Sequence, residues 1–182
     1  PLRSGFLMTP TAAGLAILSP LSGWLSDRIG TRVLASVGMG IMGTAFYLLS
    51  LLRIESSFTD IIFRLGLLGF GLGLFQTPNN NSLMGSIPNN RLGVASSFIS
   101  IVRSVGRSVG TAIATAIVSA NLLTATGQTS LKNLSSTSIL EGNSTLLLAF
   151  MKGFRYAYMS AGVLCMIGIV ASLVRGPNKE KM

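Results

Sequence analysis

Hydrophobic and polar residues alternate along this chain in long blocks. Four stretches contain no charged side chain, and they extend over residues 4–26, 33–52, 65–90 and 156–174. Each approaches or exceeds the ~20 residues that cross a hydrocarbon core of ~30 Å as an α-helix. The block pattern therefore predicts four membrane-spanning helices.

A fifth apolar stretch, residues 92–123, is interrupted only by Arg103 and Arg107. We predict an all-α, polytopic membrane bundle of about five transmembrane helices, over residues 5–25, 32–52, 61–85, 92–123 and 150–174. The segment 124–145 is rich in Ser, Thr, Asn and Gly, which predicts a long outer loop. The other connections are short, so consecutive helices should be antiparallel neighbours.

Composition supports a membrane protein and argues against other classes. Only 10% of the 182 residues are charged, against roughly 25% in soluble domains. The net charge of +9 could indicate nucleic-acid binding, but the basic residues lie between the apolar blocks rather than in one tract. With a single cysteine, Cys165, and no His, we expect no disulfide framework and no metal site. For a membrane protein of this composition we also expect no cofactor, no catalytic residue and no enzyme activity.

The positive-inside rule does not orient the bundle. If the first helix runs inwards, six basic residues lie inside: Arg28, Arg32, Arg91, Arg175, Lys179 and Lys181. Six others then lie outside: Arg3, Arg53, Arg64, Lys132, Lys152 and Arg155. The charge balance is even, so orientation needs another argument.

The segment GWLSDRIGTR joins the first two predicted helices. Its notable residues are Gly23, Asp27, Arg28, Gly30 and Arg32. A tight hairpin turn keeps charge in water while glycines let two helix ends meet. Asp27 is expected to accept backbone hydrogen bonds at the start of the second helix and to pair with a nearby Arg. Alternatively, Asp27 and Arg28 only anchor a cytoplasmic turn.

The pattern Gly-x-Leu-Ser-Asp-Arg-x-Gly-x-Arg resembles the loop signature of the major facilitator superfamily. Residues 69–113, from the glycine-rich span through the Pro-Asn turn to Arg-x-x-Gly-x-x-x-Gly, look like the fourteen-helix drug:proton antiporters of that superfamily. The resemblance implies that these are helices 10–14, that N-terminal helices are missing, and that the signature loop and C-terminus are cytoplasmic. Thr31 and Arg107 depart from the family pattern, where a basic and a small residue are usual.

Ionisable groups inside a membrane are the first candidates for function. The five acidic residues all fall in predicted loops or helix ends: Asp27, Glu55, Asp60, Glu141 and Glu180. We therefore expect any proton-coupling carboxylate in the missing N-terminal part.

Arg103 and Arg107 are four residues apart and so share one helix face. Both could extend to the inner headgroup layer. Alternatively, Arg103 faces the bundle and bonds to carbonyls near Pro78 or to an acid in the missing part. Gly106 and Gly110, one turn apart, are expected to permit close helix packing.

The third predicted helix contains FQTPNNNS, with Gln76, Pro78 and Asn79 as candidate pathway residues. We expect these amides to face protein or a water-filled cavity, because lipid offers no hydrogen-bond partner. Helices broken by Pro and polar residues often line transport pathways, although this could equally be the fraying cytoplasmic end of the helix. For substrate contact we single out Phe75 and Gln76.

These features together favour a secondary active transporter of the cell inner membrane that exports small amphipathic compounds or drugs by alternating access. Proton exchange is implied by the resemblance alone. A metabolite exporter or facilitator of the same fold is the first alternative, and a membrane sensor or assembly subunit without transport is the second. The expected partners are membrane lipid, the missing helices, a small-molecule substrate and protons, but not nucleic acid.

Overall fold

The computed structural model describes residues 2–126 and 144–174. Five α-helices follow one another along the chain: α1 Leu2–Ile29, α2 Thr31–Ser50, α3 Phe58–Gly85, α4 Leu92–Thr126 and α5 Ser144–Val174. A short 3-10 turn, Asn89–Arg91, leads into α4. The described ranges contain helices and connections but no strand, which confirms the predicted all-α class.

Four of these helices, α2 to α5, are long and apolar enough to cross a membrane. Among the described residues α1 is not one of these four, although its 28 residues would extend about 42 Å at ~1.5 Å per residue. Membrane crossing by α1 therefore stays a prediction from the sequence.

Four of the five helices are longer than the apolar blocks that predicted them, and α2 has the same length as its block. α4 continues through Thr126, so the first three residues of the predicted loop 124–145 are helical, and residues 127–143 lie outside the described residues. In this last part of α4, Thr124 Oγ1 donates to the carbonyl of Asn121 at 2.9 Å. Charge-free blocks thus locate the apolar centre of a helix rather than its ends.

The helices pack as a row in the order α1, α3, α2, α5, α4. α3 lies against both α1 and α2, and α5 lies against both α2 and α4. α4 approaches α3 at only a few positions. This arrangement leaves a gap between α3 and α4, which the candidate site occupies.

Glycines on α3 allow its backbone to touch both neighbours. A Cβ added to Gly69 would collide with the backbone of Thr11 on α1. A Cβ on Gly38 of α2 would lie 2.7 Å from the backbone nitrogen of Phe75 on α3. Buried Ser22 strengthens the α1 contact, because its Oγ donates to the carbonyl of Gly73 at 2.9 Å. Backbone contact of this kind is the usual packing mode of membrane helices.

Candidate functional site

The GWLSDRIGTR segment is more helical than the sequence indicated. α1 extends through Ile29, so Asp27 and Arg28 lie in its last turn and not in a loop. The turn itself is reduced to Gly30, whose φ of 91° lies in the left-handed region that favours glycine. Gly30, between α1 and α2, is therefore the position of this segment where the backbone conformation favours glycine.

The expected contacts of Asp27 are not found among the described residues. α2 has Gly30 at its N-cap and no side-chain capping hydrogen bond. Within the part of the chain that the structure describes, the ion pair is that of Arg64 with Asp60 and does not involve Asp27. The capping prediction for Asp27 was wrong, because the helix continues past Asp27 and leaves its side chain exposed. Pairing of Asp27 with an Arg outside the described residues stays a prediction.

The two arginines of the segment have different contacts. The Arg28 guanidinium lies over the ring of Trp24, 4.1 Å from its centroid, one turn back on α1. Arg32 Nε donates to the carbonyl of Ser172 on α5 at 3.0 Å, and Ser36 Oγ bonds to Ser172 Oγ at 3.0 Å. Arg32 therefore links the start of α2 to the end of α5.

A side chain would fit at Gly23, since an added Cβ would lie 3.6 Å from Thr77 Cγ2.

The polar segment of α3 is part of a continuous helix. Pro78 lies inside α3 and is fully buried, and the helix continues to Gly85. Gln76 and Asn79 are half-buried and lie one turn apart, on the side of α3 that faces α4. The structure therefore places these amides within the bundle, ahead of the helix end.

A cavity of about 700 Å³ lies between α3 and α4. Its polar lining consists of Gln76, Asn79, Arg103 and Arg107. Its apolar lining includes Met42, Leu72, Phe75, Phe98, Ile99 and Val102. We call this space the α3–α4 cavity, and its volume is in the usual range for small-molecule sites.

Arg103 faces α3. Its Nη2 donates to Oδ1 of Asn80 at 2.9 Å, two residues beyond Pro78, and its side chain is half-buried. Of the two alternatives, the structure favours an Arg103 that faces the bundle. The acceptor is a side-chain amide, however, where a backbone carbonyl or a carboxylate was expected.

Arg107 also lines the α3–α4 cavity but is exposed, one turn further along α4. Gly106 and Gly110 face open space, with no described atom within 4 Å of an added Cβ. The close packing predicted for these two glycines is therefore not found within the described residues. The tight approach to α4 is instead at Gly153 of α5, where an added Cβ would lie 2.9 Å from Val118 Cα.

A second cavity, of about 530 Å³, lies on the other side of α3 beside the start of α2. Phe75 and Asn79 line both cavities, and Arg32 and Ser172 line the second. The signature segment and the amide-rich segment of α3 are thus neighbours. The described ranges hold no group of three His, Cys, Asp or Glu side chains that could bind a metal ion.

Sequence reasoning identified Phe75, Gln76 and Asn79 but missed Leu72 and Leu83 on the same face of α3. The five positions recur at helical spacing, and this period could have identified the whole wall. Phe98 and Val102 are likewise four residues apart on α4. Ser172 could not have been found this way, because it is 140 positions from Arg32 in the sequence.

Comparisons with known proteins agree with this architecture. The uncharacterized transporter YebQ of Escherichia coli K12 is 34% identical over 105 residues, which is 58% of this chain and 23% of that protein. The riboflavin transporter RibZ of Clostridioides difficile 630 is 25% identical over 173 residues, or 95% of this chain and 35% of RibZ. The multidrug resistance protein Stp of Mycobacterium tuberculosis H37Rv is 35% identical over 106 residues, or 58% of this chain and 20% of Stp.

The chain therefore spans well under half the length of the relatives it matches. Its helices are those of a multi-pass membrane protein, surrounded by lipid. The family model of the Major Facilitator Superfamily matches the whole chain, residues 1–182, so this protein belongs to that family of membrane transporters.

Proposed function

We propose that this chain is the C-terminal part of a secondary active transporter that exports small amphipathic compounds, including drugs, by alternating access. The observation that carries the proposal is the α3–α4 cavity, which combines apolar walls with the amides of Gln76 and Asn79. Pockets that are mostly apolar with a few placed polar groups bind amphipathic molecules. The names of Stp and of the multidrug transporter MdtP of Bacillus subtilis support drugs as the substrate class.

The proposal includes proton exchange, as in the fourteen-helix drug:proton antiporters. The carboxylates that bind the protons would then lie in the remainder of the protein. Of the described acids, Asp27 is in the last turn of α1, Asp60 is in the first turn of α3, and Glu55 is in the connection before α3. None of them lines the α3–α4 cavity. A complete reading frame with nine upstream spans and an intramembrane Asp or Glu would support this assignment.

We place the protein in the cell inner membrane, with the α1–α2 turn on the cytoplasmic side. Arg32 follows the turn, bonds to Ser172 and lines the second cavity together with Asn79. A movement of α1 and α2 would therefore alter the environment of Asn79. Gating by Gly23, Asp27, Arg28, Gly30 and Arg32 is proposed on this proximity. Any partner of Asp27 would then lie outside the described residues.

Export of a metabolite is the second candidate. RibZ, named a riboflavin transporter, aligns with 95% of this chain. The amides of Gln76 and Asn79 could bond the polar edge of such a heteroaromatic ring, and Phe75 could contact its face. The fold and the cavity are the same for both candidates, and only the substrate differs.

A transport assay on the full-length protein tests the proposal. The complete reading frame is expressed in a bacterium that lacks its major efflux pumps. The accumulation of two amphipathic dyes, cationic ethidium and anionic fluorescein, is measured beside an empty-vector control. We expect lower accumulation of at least one dye with the transporter, and a return to the control level when a protonophore is added. Riboflavin export with unchanged accumulation of both dyes would favour the metabolite exporter. No flux of any of these compounds, in a correctly inserted protein, would contradict transport and favour a sensor or assembly subunit.

A further inference from the structure

Two guanidinium groups face the α3–α4 cavity, but no described carboxylate does. Arg103 and Arg107 are both in its lining. The hydrogen bond that Arg103 makes within the described residues is to the neutral amide of Asn80. Charged groups inside a membrane protein are usually paired with an opposite charge, because burial of an unpaired charge in an apolar setting is costly. The cavity therefore carries positive charge that its own described walls do not balance.

The arrangement has the parts of a site for an amphipathic anion. Arginine binds carboxylate, sulfonate or phosphate oxygens through its planar set of N–H donors. Phe75, Phe98 and Val102 lie in the same lining and provide an apolar surface for a hydrophobic body. The amides of Gln76 and Asn79 add further N–H donors. Positive charge at one part and apolar wall at another match a molecule with an anionic head and an aromatic or aliphatic body.

We propose that the α3–α4 cavity selects amphipathic anions, with Arg103 and Arg107 binding the anionic group of the substrate. The proposal rests on the transporter function proposed above and specifies its substrate class. Asn80 acts as a positioning residue, because its Oδ1 holds one Nη of Arg103 and orients the remaining donors towards the cavity. A neutral isostere of the same substrate would lose the charge-assisted hydrogen bonds while keeping the apolar contact.

Equilibrium binding to the purified full-length transporter tests this proposal with a matched pair of probes. 2-Naphthoate carries a carboxylate, and 2-naphthamide has the same ring system and nearly the same shape without the charge. We expect naphthoate to bind at least about tenfold more tightly than naphthamide, as the gain of one charge-assisted hydrogen bond implies. Equal affinity for the two probes would overturn the proposal.

Variants assign the selectivity to these residues. Arg103→Gln and Arg107→Gln should each weaken naphthoate binding by about ten- to a hundredfold and leave naphthamide binding unchanged. Arg103→Lys should retain part of the selectivity, since the charge remains but the planar set of donors is lost. Arg53→Gln, in the exposed connection between α2 and α3, is the control and should bind both probes as the wild type does.

Asn80→Asp provides a test that does not remove an arginine. The substitution is nearly isosteric and places a fixed carboxylate 2.9 Å from Arg103 Nη2 in the wild-type geometry. The new anion should compete for the guanidinium and weaken naphthoate binding by about tenfold or more, without an effect on naphthamide. If the glutamine variants and Asn80→Asp weaken both probes equally, the arginines have only a structural role and the proposal fails.

These measurements are separate from transport. Ethidium efflux without a preference for naphthoate would leave the proposed function intact and reject the substrate class. A preference for naphthoate without flux of any compound would leave the anion site intact and reject the transporter function.

Discussion

Arg103 on α4 donates a hydrogen bond to Oδ1 of Asn80 on α3 at 2.9 Å, across two helices that otherwise approach each other at few positions. This contact bridges the two helices that form the α3–α4 cavity. A hydrogen bond from a charged donor is worth about 1.5–3 kcal/mol when the alternative is an unsatisfied group. The pair is therefore expected to contribute to both the width of the cavity and the orientation of the guanidinium.

A double-mutant cycle at this pair tests its contribution to stability. Arg103→Gln and Asn80→Ala should each lower the free energy of unfolding of the full-length protein. The double variant should cost less than the sum of the two, with a coupling of about 1–2 kcal/mol, because either change alone removes the same bond. The measurement is denaturant-induced unfolding in detergent, with Arg53→Gln as control. Strict additivity would show that the two side chains do not interact in the intact protein.

Close packing of α1 on α3 gives a second prediction. An added Cβ at Gly69 would collide with backbone atoms of Thr11, so one of the two helices would have to shift. Gly69→Ala should therefore lower the free energy of unfolding by about 1–3 kcal/mol, as overpacking does. Gly23→Ala is the matched control on the same interface, since its Cβ would make an ordinary contact at 3.6 Å with Thr77. Equal stability of the two variants would place α1 further from α3 than the structure does.

The sequence was sufficient for the helices and for one face of the site. The charge-free blocks predicted the all-α bundle, because a hydrocarbon core excludes charge over a fixed length. The four-residue spacing of Arg103 and Arg107 placed both on one face of α4, and the structure finds both at the α3–α4 cavity. Periodicity could not show which helix this face meets, because the order α1, α3, α2, α5, α4 is set by packing between distant segments.

The predicted loop position of Asp27 is wrong for a local reason. A charged residue after an apolar block predicts the end of a helix, but α1 continues through Ile29 and turns only at Gly30. A helix that extends into the headgroup layer can carry exposed charge in its last turn without a loop. The partner of Arg32 could not be predicted because the contact is long-range: the Ser172 carbonyl belongs to the last helix of the chain.

The contact between Arg32 and Ser172 gives a third prediction. Arg32→Gln removes the donor to the Ser172 carbonyl and should lower the free energy of unfolding by about 1–2 kcal/mol. Ser172→Ala keeps this carbonyl and loses only the hydroxyl bond to Ser36, so it should cost less, about 0.5–1 kcal/mol. Hydrogen exchange of the α5 amides near Ser172 should rise more in the first variant than in the second. The reverse order would show that the hydroxyl pair, and not Arg32, holds α2 to α5.

Asp27 gives the last prediction, and it separates a charge effect from a capping effect. An asparagine can still cap a helix, whereas an alanine cannot, so a capping role would make Asp27→Ala the more damaging variant. The N-cap of α2 is Gly30 without a side-chain bond, and Asp27 is exposed. We therefore expect both variants to insert normally and to unfold within about 0.5 kcal/mol of the wild type.

If the Asp27 charge interacts with helices outside this chain during gating, Asp27→Asn and Asp27→Ala should slow transport equally. Both should also raise the labelling rate of a cysteine placed at Ile29 equally, on a cysteine-free background. Glu55→Gln, which removes an exposed charge from the α2–α3 connection, should have neither effect. A graded loss, with Ala worse than Asn, would restore the capping role, and unchanged transport in both variants would remove Asp27 from the gate.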